Sequence, residues 1–170
     1  MSGKNKTKAR RFRLMAALAA ALIVGGLFVM RAHTSPNTDR QYWPATFLTD
    51  GEALYFTGRS LSGSQLIPRG GNHHMTMMGA GGCADCHGSD RKGGWLWPTP
   101  WQVAPSITEL DLTGGHAHDD HNHDGYTSET LADAITRGIR PDGSRIDRSM
   151  PRWSASEADL DALTAFLLKQ

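Results

Sequence analysis

Cys83-Ala84-Asp85-Cys86-His87 decides how this chain is read, because it holds both cysteines of a 170-residue sequence. Two thiols separated by two residues and followed at once by an imidazole form the C-x-x-C-H arrangement of covalent haem attachment. The spacing has a mechanical reason. Two intervening residues let the thiols reach two vinyl groups on one porphyrin edge, and the next position projects an imidazole toward the ring centre. A thioredoxin-like redox pair needs a βαβ setting that this Gly- and His-rich neighbourhood does not offer. A structural zinc site needs four ligands, and a second cysteine pair is missing. Two cysteines also exclude a disulfide-rich scaffold.

Outward from the motif, 18.5 kDa leaves room for one ordinary domain and a tail. The chain is near neutral, with 18 Lys+Arg against 17 Asp+Glu, but six of the basic residues and none of the acids lie in the first thirty positions. The rest carries a net −5. Such a balance excludes a nucleic-acid binder, which needs a basic working surface to displace counterions.

Residues 1–13 form a basic flank with Lys4, Lys6, Lys8, Arg10, Arg11 and Arg13. Leu14 to Met30 then runs without a charge. Seventeen residues at helical rise span roughly 25 Å, the lower end of what crosses a ~30 Å hydrocarbon core, and the flank keeps the N-terminus in the cytoplasm. The pattern predicts a single-pass helix in the inner membrane, with everything after Arg31 in the periplasm or outside. The competing reading is a cleaved signal peptide, although Met30-Arg31-Ala32 makes a poor cleavage site. Residues 31–44 read as a polar linker and 45–170 as the folded domain.

Within that domain the apolar periods are helical. Leu160, Leu163 and Leu167 recur at i, i+3 and i+7 behind a Ser154-x-x-Glu157 capping box, predicting a helix from Glu157 to about Lys169. Leu131, Ile135 and Ile139 repeat at i, i+4 and i+8, predicting a helix that opens at Thr127 or Ser128 and is limited by Gly138 and Pro141. Ala53, Leu54, Tyr55 and Phe56 mark a third over 50–58, and no run reads as a good strand. The expectation is therefore an all-α domain around one covalent haem, preceded by a transmembrane helix.

From Thr49 to Lys169 the chain resembles the class I cytochromes c. Four features carry the resemblance: the haem motif followed by Gly88, Ala104-Pro105-Ser106-Ile107 as the Pro-x-Leu element, Ser149-Met150-Pro151 as the methionine ligand, and a terminal helix. It implies that Cys83 and Cys86 are the thioether anchors, His87 the proximal iron ligand and Met150 the distal one. It also implies that the Pro105 carbonyl accepts the second N–H of His87, fixing the ring and raising its basicity. Pro98 and Pro100 are alternatives for that carbonyl. Met150 follows Gly143 in a loop between two predicted helices, and Pro151 stiffens the stretch that presents the sulfur.

Other features are left over. The Gly-rich insert from Arg59 to Gly82 contains Asn72-His73-His74-Met75-Thr76-Met77-Met78, which reads as a cover for the haem edge, a docking surface for a partner, a soft-metal site or a mobile loop without a role. A second stretch, His116-Ala117-His118-Asp119-Asp120-His121-Asn122-His123, is either a solvated loop or a zinc, nickel or copper trap. Trp95, Trp97, Trp101 and Trp153 read mostly as pocket and core residues, with one of them at an exposed edge where a partner docks as the alternative. Arg137, Arg140, Arg145, Arg148 and Arg152 cluster around Met150 as candidate partners of the haem propionates, with ordinary surface charge as the alternative.

A haem filled on both axial sides has no open position for a substrate, so these readings imply a one-electron carrier of a respiratory chain rather than an enzyme. Its partners would be a membrane dehydrogenase or oxidase, or a soluble cytochrome. The alternatives are a fixed haem subunit of a membrane oxidoreductase, a gas or peroxide sensor with a displaceable distal ligand, and a metal-handling protein.

Overall fold

A computed structural model describes residues 43–71, 81–96, 99–114, 117–118, 121–122 and 124–169. All lie in one of the two units into which the chain divides, Ser35–Gln170. The expected membrane segment 14–30 falls outside them. Among the described residues no helix is long and apolar enough to cross a membrane.

The first helix among the described residues, α1 (Asp50–Thr57), starts at Thr49, whose hydroxyl accepts the amide of Glu52, and ends at Gly58 in the left-handed region. The last, α5 (Glu157–Leu167), is capped by Ser156, which accepts the amide of Asp159. The expected capping box thus starts two residues too early. The two helices pack against each other, and the crossing is close because Gly51 faces α5. A Cβ at Gly51 would collide with the Ala162 carbonyl and the Phe166 side chain. Between them lie α2 (Ala84–His87), α3 (Glu109–Thr113) and α4 (Ser128–Thr136), the last opened by a reciprocal Thr127–Thr130 cap.

The domain is not all-α. Among the described residues six short strands accompany these helices: β1 (Ile67–Arg69), β2 (Gly94–Leu96), β3 (Thr99–Ala104), β4 (Ala117–His118), β5 (His121–Asn122) and β6 (Arg152–Ser154). They pair antiparallel as β1–β6, β2–β3 and β4–β5, three two-stranded sheets. The expectation of helices alone is overturned because strands of two to six residues are too short to show a two-residue period. The β1–β6 ladder, with Pro68 opposite Trp153, also joins segments that local sequence cannot relate.

The core is built from Leu54, Tyr55 and Phe56 of α1, Leu131 and Ile135 of α4, Leu163 and Leu167 of α5, and Trp153 of β6. Trp43 and Phe47, ahead of α1, close on Phe56 at centroid distances of 5.7 Å. Two loops with the same backbone pattern follow α1 and α4. After α1 the Leu66 amide donates to Gly58 O and Ser60 to Ser64; after α4 the Ile146 amide donates to Gly138 O and Arg140 to Ser144.

Candidate functional site

Helix α2 is a single turn. The amides of Cys86 and His87 donate to Cys83 O, at 3.1 and 2.9 Å, and Gly88 donates to Ala84 O at 2.9 Å. Residues three and four apart lie on one face of such a turn, so the backbone alone sets Cys83, Cys86 and His87 side by side. The buried Asp85 carboxylate folds back over the start of the turn, accepting from Gly81 N at 2.7 Å and Gly82 N at 3.3 Å.

Both thiols are free and half-buried. Burial, then Cys86 and Asp85, push Cys83 up to about 12; burial, then Asp85, push Cys86 up to about 11. Redox and nucleophilic cysteines have the opposite shift, toward the thiolate. Burial thus works against the thiolate at both positions.

His87 is buried, and its Nδ1 lies 2.9 Å from the Pro105 carbonyl oxygen. A carbonyl only accepts, so Nδ1 carries the proton and Nε2 keeps its lone pair. Burial lowers the imidazole's proton affinity, with the Pro105 hydrogen bond opposing it. The ring is thus held as the neutral tautomer that a metal ion requires.

Pro105 is held in turn. It follows β3 directly, and beside it Ile107 N and Ser106 Oγ both donate to Arg91 O, at 2.8 and 3.4 Å. Gly93 N donates to His87 O at 2.8 Å, which closes the turn between motif and strand. The Arg91 guanidinium then reaches the end of α5, donating to Leu167 O at 3.3 Å and Phe166 O at 3.5 Å, 5.6 Å above the Phe166 ring. From the other side, the buried Tyr55 hydroxyl donates to Gly88 O at 2.6 Å. Burial raises the Tyr55 phenol far out of its ordinary range, so it remains a donor. The motif is tied to both terminal helices by side chains that its sequence does not announce.

Cys83, Cys86, His87 and Pro105 therefore come together. Met150 lies on a different segment, half-buried in the loop that enters β6, its amide donating to Asp147 O at 3.3 Å. Pro98, an alternative carbonyl, lies outside the described residues, and Pro100 sits within β3.

The other expectations fare unevenly. Trp153 is core, whereas Trp95 and Trp101 are 49% and 76% exposed and so are not core residues; Trp97 lies outside the described residues. Three of the arginines are engaged within the chain, Arg137 with Asp133 at 3.2 Å, Arg140 with Arg145 O at 2.7 Å and Arg152 with Ile146 O at 2.7 Å. The stretch 72–78 lies outside the described residues. Within the second His-rich stretch Ala117-His118 pairs antiparallel with His121-Asn122, His118 in register with His121. Among the described residues no group of three His, Cys, Asp or Glu is placed to hold a metal ion.

Sequence reasoning missed Asp85, Arg91 and Tyr55. Asp85 passes for a spacer of the motif and Tyr55 for a core aromatic. Arg91 is the single non-glycine residue at positive φ among the described residues, φ 63°, and nothing in the sequence marks it. No family model, curated protein or solved structure matches the chain.

Proposed function

We propose that the protein is a one-electron carrier, a monohaem c-type cytochrome working on the outer side of the membrane to which segment 14–30 directs it. The observation that carries this reading is His87 on the C-x-x-C-H turn, with Nδ1 committed to Pro105 O at 2.9 Å and Nε2 left as a lone-pair donor. The donor set suits haem c. Cys83 and Cys86 would hold it through two reduced thiols on one face of a turn, and His87 and Met150 would offer its iron a nitrogen and a sulfur donor. A haem iron held by His and Met gains and loses one electron with little rearrangement, at a higher potential than with two histidines.

What the chain does is hold and insulate. Asp85 fixes the start of the attachment turn, Tyr55 its end, and the Arg91 carbonyl the segment after β3 that bears Pro105. These three ties hold the backbone on either side of the His87–Pro105 hydrogen bond, and that bond orients the ring and raises its basicity. Partners in this reading are redox proteins, a membrane dehydrogenase or oxidase or a soluble cytochrome, and the chain catalyses no bond change itself.

The test is the optical spectrum of the purified holoprotein, oxidised and reduced, beside Met150→Ala. The expected result is a covalent c-type haem, lost in Cys83→Ala or Cys86→Ala, with a weak red sulfur-to-iron band that vanishes in Met150→Ala. Covalent haem without that band, and carbon monoxide bound readily by the reduced wild type, would replace the carrier with an open-site sensor or enzyme.

A further inference from the structure

The loop that carries Met150 is gripped by one side chain. Arg152 Nη2 donates to Ile146 O and Nη1 to Met150 O, both at 2.7 Å, with longer contacts from both nitrogens to Asp147 O at 3.4 and 3.5 Å. The root of that side chain is rigid. Arg152 pairs with Arg69 in the β1–β6 ladder, and the next residue, Trp153, is buried in the core.

The fold makes room for this grip. Gly138 lies against the guanidinium, where a Cβ would collide with Arg152 Nε and Cζ, and its φ of 67° is one that side-chain-bearing residues avoid. The loop's shape up to Ile146 is not what requires the arginine. The same backbone pattern follows α1, where Gly58, Ser60, Ser64 and Leu66 repeat it and serine hydroxyls fill the interior, Ser60 bonding Ser62 and Ser64 at 2.8 and 2.6 Å. What differs is the continuation. After Ile146 the chain makes a turn at Asp147, whose carboxylate accepts Ser149 N at 2.8 Å, and then Met150. The guanidinium spans that turn from its first carbonyl to its last. A planar fork with several fixed donors suits two carbonyls at once, where an ammonium offers a point charge.

We propose that Arg152 is a positioning residue for Met150: by bridging the carbonyls of Ile146 and Met150 it fixes the loop that presents the thioether, and so sets how firmly the distal position is held. The inference rests on the reading of Met150 as the distal ligand. It assigns Arg152 to the loop backbone rather than to the haem propionates.

The experiment compares wild type, Met150→Ala, Arg152→Gln and Arg152→Lys holoproteins by the red sulfur-to-iron band and by carbon monoxide affinity of the reduced form, with covalent haem content and thermal unfolding alongside. Arg152→Gln is expected to keep its covalent haem but to weaken the band and bind carbon monoxide about tenfold more tightly than wild type, the scale set by charged hydrogen bonds. Arg152→Lys should fall between them. If Arg152→Gln does not fold, Arg152→Lys decides by the same comparison. A lower unfolding midpoint with unchanged band and carbon monoxide affinity would make Arg152 a structural residue only and overturn the proposal while leaving Met150 as ligand. A wild-type spectrum without the band, unaltered by Met150→Ala, would remove the Met150 reading and the role of Arg152 with it.

Discussion

The thiols of Cys83 and Cys86 are held back from ionising by burial and by the Asp85 carboxylate between them, Cys83 also by Cys86. In haem-free chain this has a direct consequence. A free cysteine is largely thiolate by pH 9.5, whereas these thiols ionise near 12 and 11, so alkylation by iodoacetamide should stay slow through pH 9 and rise only above about pH 10. Because the folded values lie above the unfolded one, stability is intact below about pH 9 and is lost as pH rises through the folded values. An alkylation rate that follows an ordinary cysteine titration would show that the attachment turn is open in haem-free chain. At this scale the sequence was legible where one motif dictates chemistry. Cys83, Cys86 and His87 need only a helical turn to share a face, and Pro105 lies where a resemblance can point. Asp85, Tyr55 and Arg91 were not legible, because each acts on backbone groups, and a backbone carbonyl has no sequence signature.

Among the elements, α1, α4 and α5 announce themselves through caps and apolar periods, and they form within a residue or two of expectation. The strands do not. They consist of a few residues each, and the β1–β6 partners are remote in sequence. One side chain joins the two kinds of element. Asp159, in the first turn of α5, accepts from Ser64 Oγ at 2.6 Å and from Ser156 Oγ at 2.7 Å, locking the helix to the loop after α1. Burial acts to raise its proton affinity, but the Ser64 and Ser156 hydrogen bonds outweigh it and hold the carboxyl below its ordinary 3.8. A depressed carboxylate contributes stability above its unfolded value, and that contribution is lost as pH falls through the folded one. Asp159→Asn should therefore cost about 1.5–3 kcal/mol at pH 7, the range for hydrogen bonds to a charged group. Denaturant unfolding should show the gap narrowing below about pH 4. A gap of the same size at pH 7 and pH 3.5 would assign the loss to packing instead.

Over the whole molecule, charge is unevenly placed. The acids open the helices, with Asp50 and Glu52 in α1, Glu109 and Asp111 in α3, Glu129 in α4, and Glu157 and Asp159 in α5, where they complement the helix dipoles. The stretch from Arg137 to Arg152 instead carries five arginines against two aspartates, Asp142 and Asp147. Hydrogen bonds to carbonyls engage Arg140 and Arg152 without cancelling their charge. A domain with net −5 beyond residue 30 thus presents a basic segment around Met150. Fields from exposed charges decay over about 8 Å at physiological salt, so an approaching partner senses the local patch more than the net charge. If electrons leave through the Met150 side, an acidic redox partner is favoured despite the overall sign. Stopped-flow electron transfer to an acidic acceptor should slow about tenfold between 10 mM and 500 mM salt, and Arg148→Ala should flatten that dependence by removing an exposed member of the cluster. The opposite slope, faster at high salt with the acidic acceptor and slower with a basic one, would place the exchange on the acidic remainder of the surface, away from Met150.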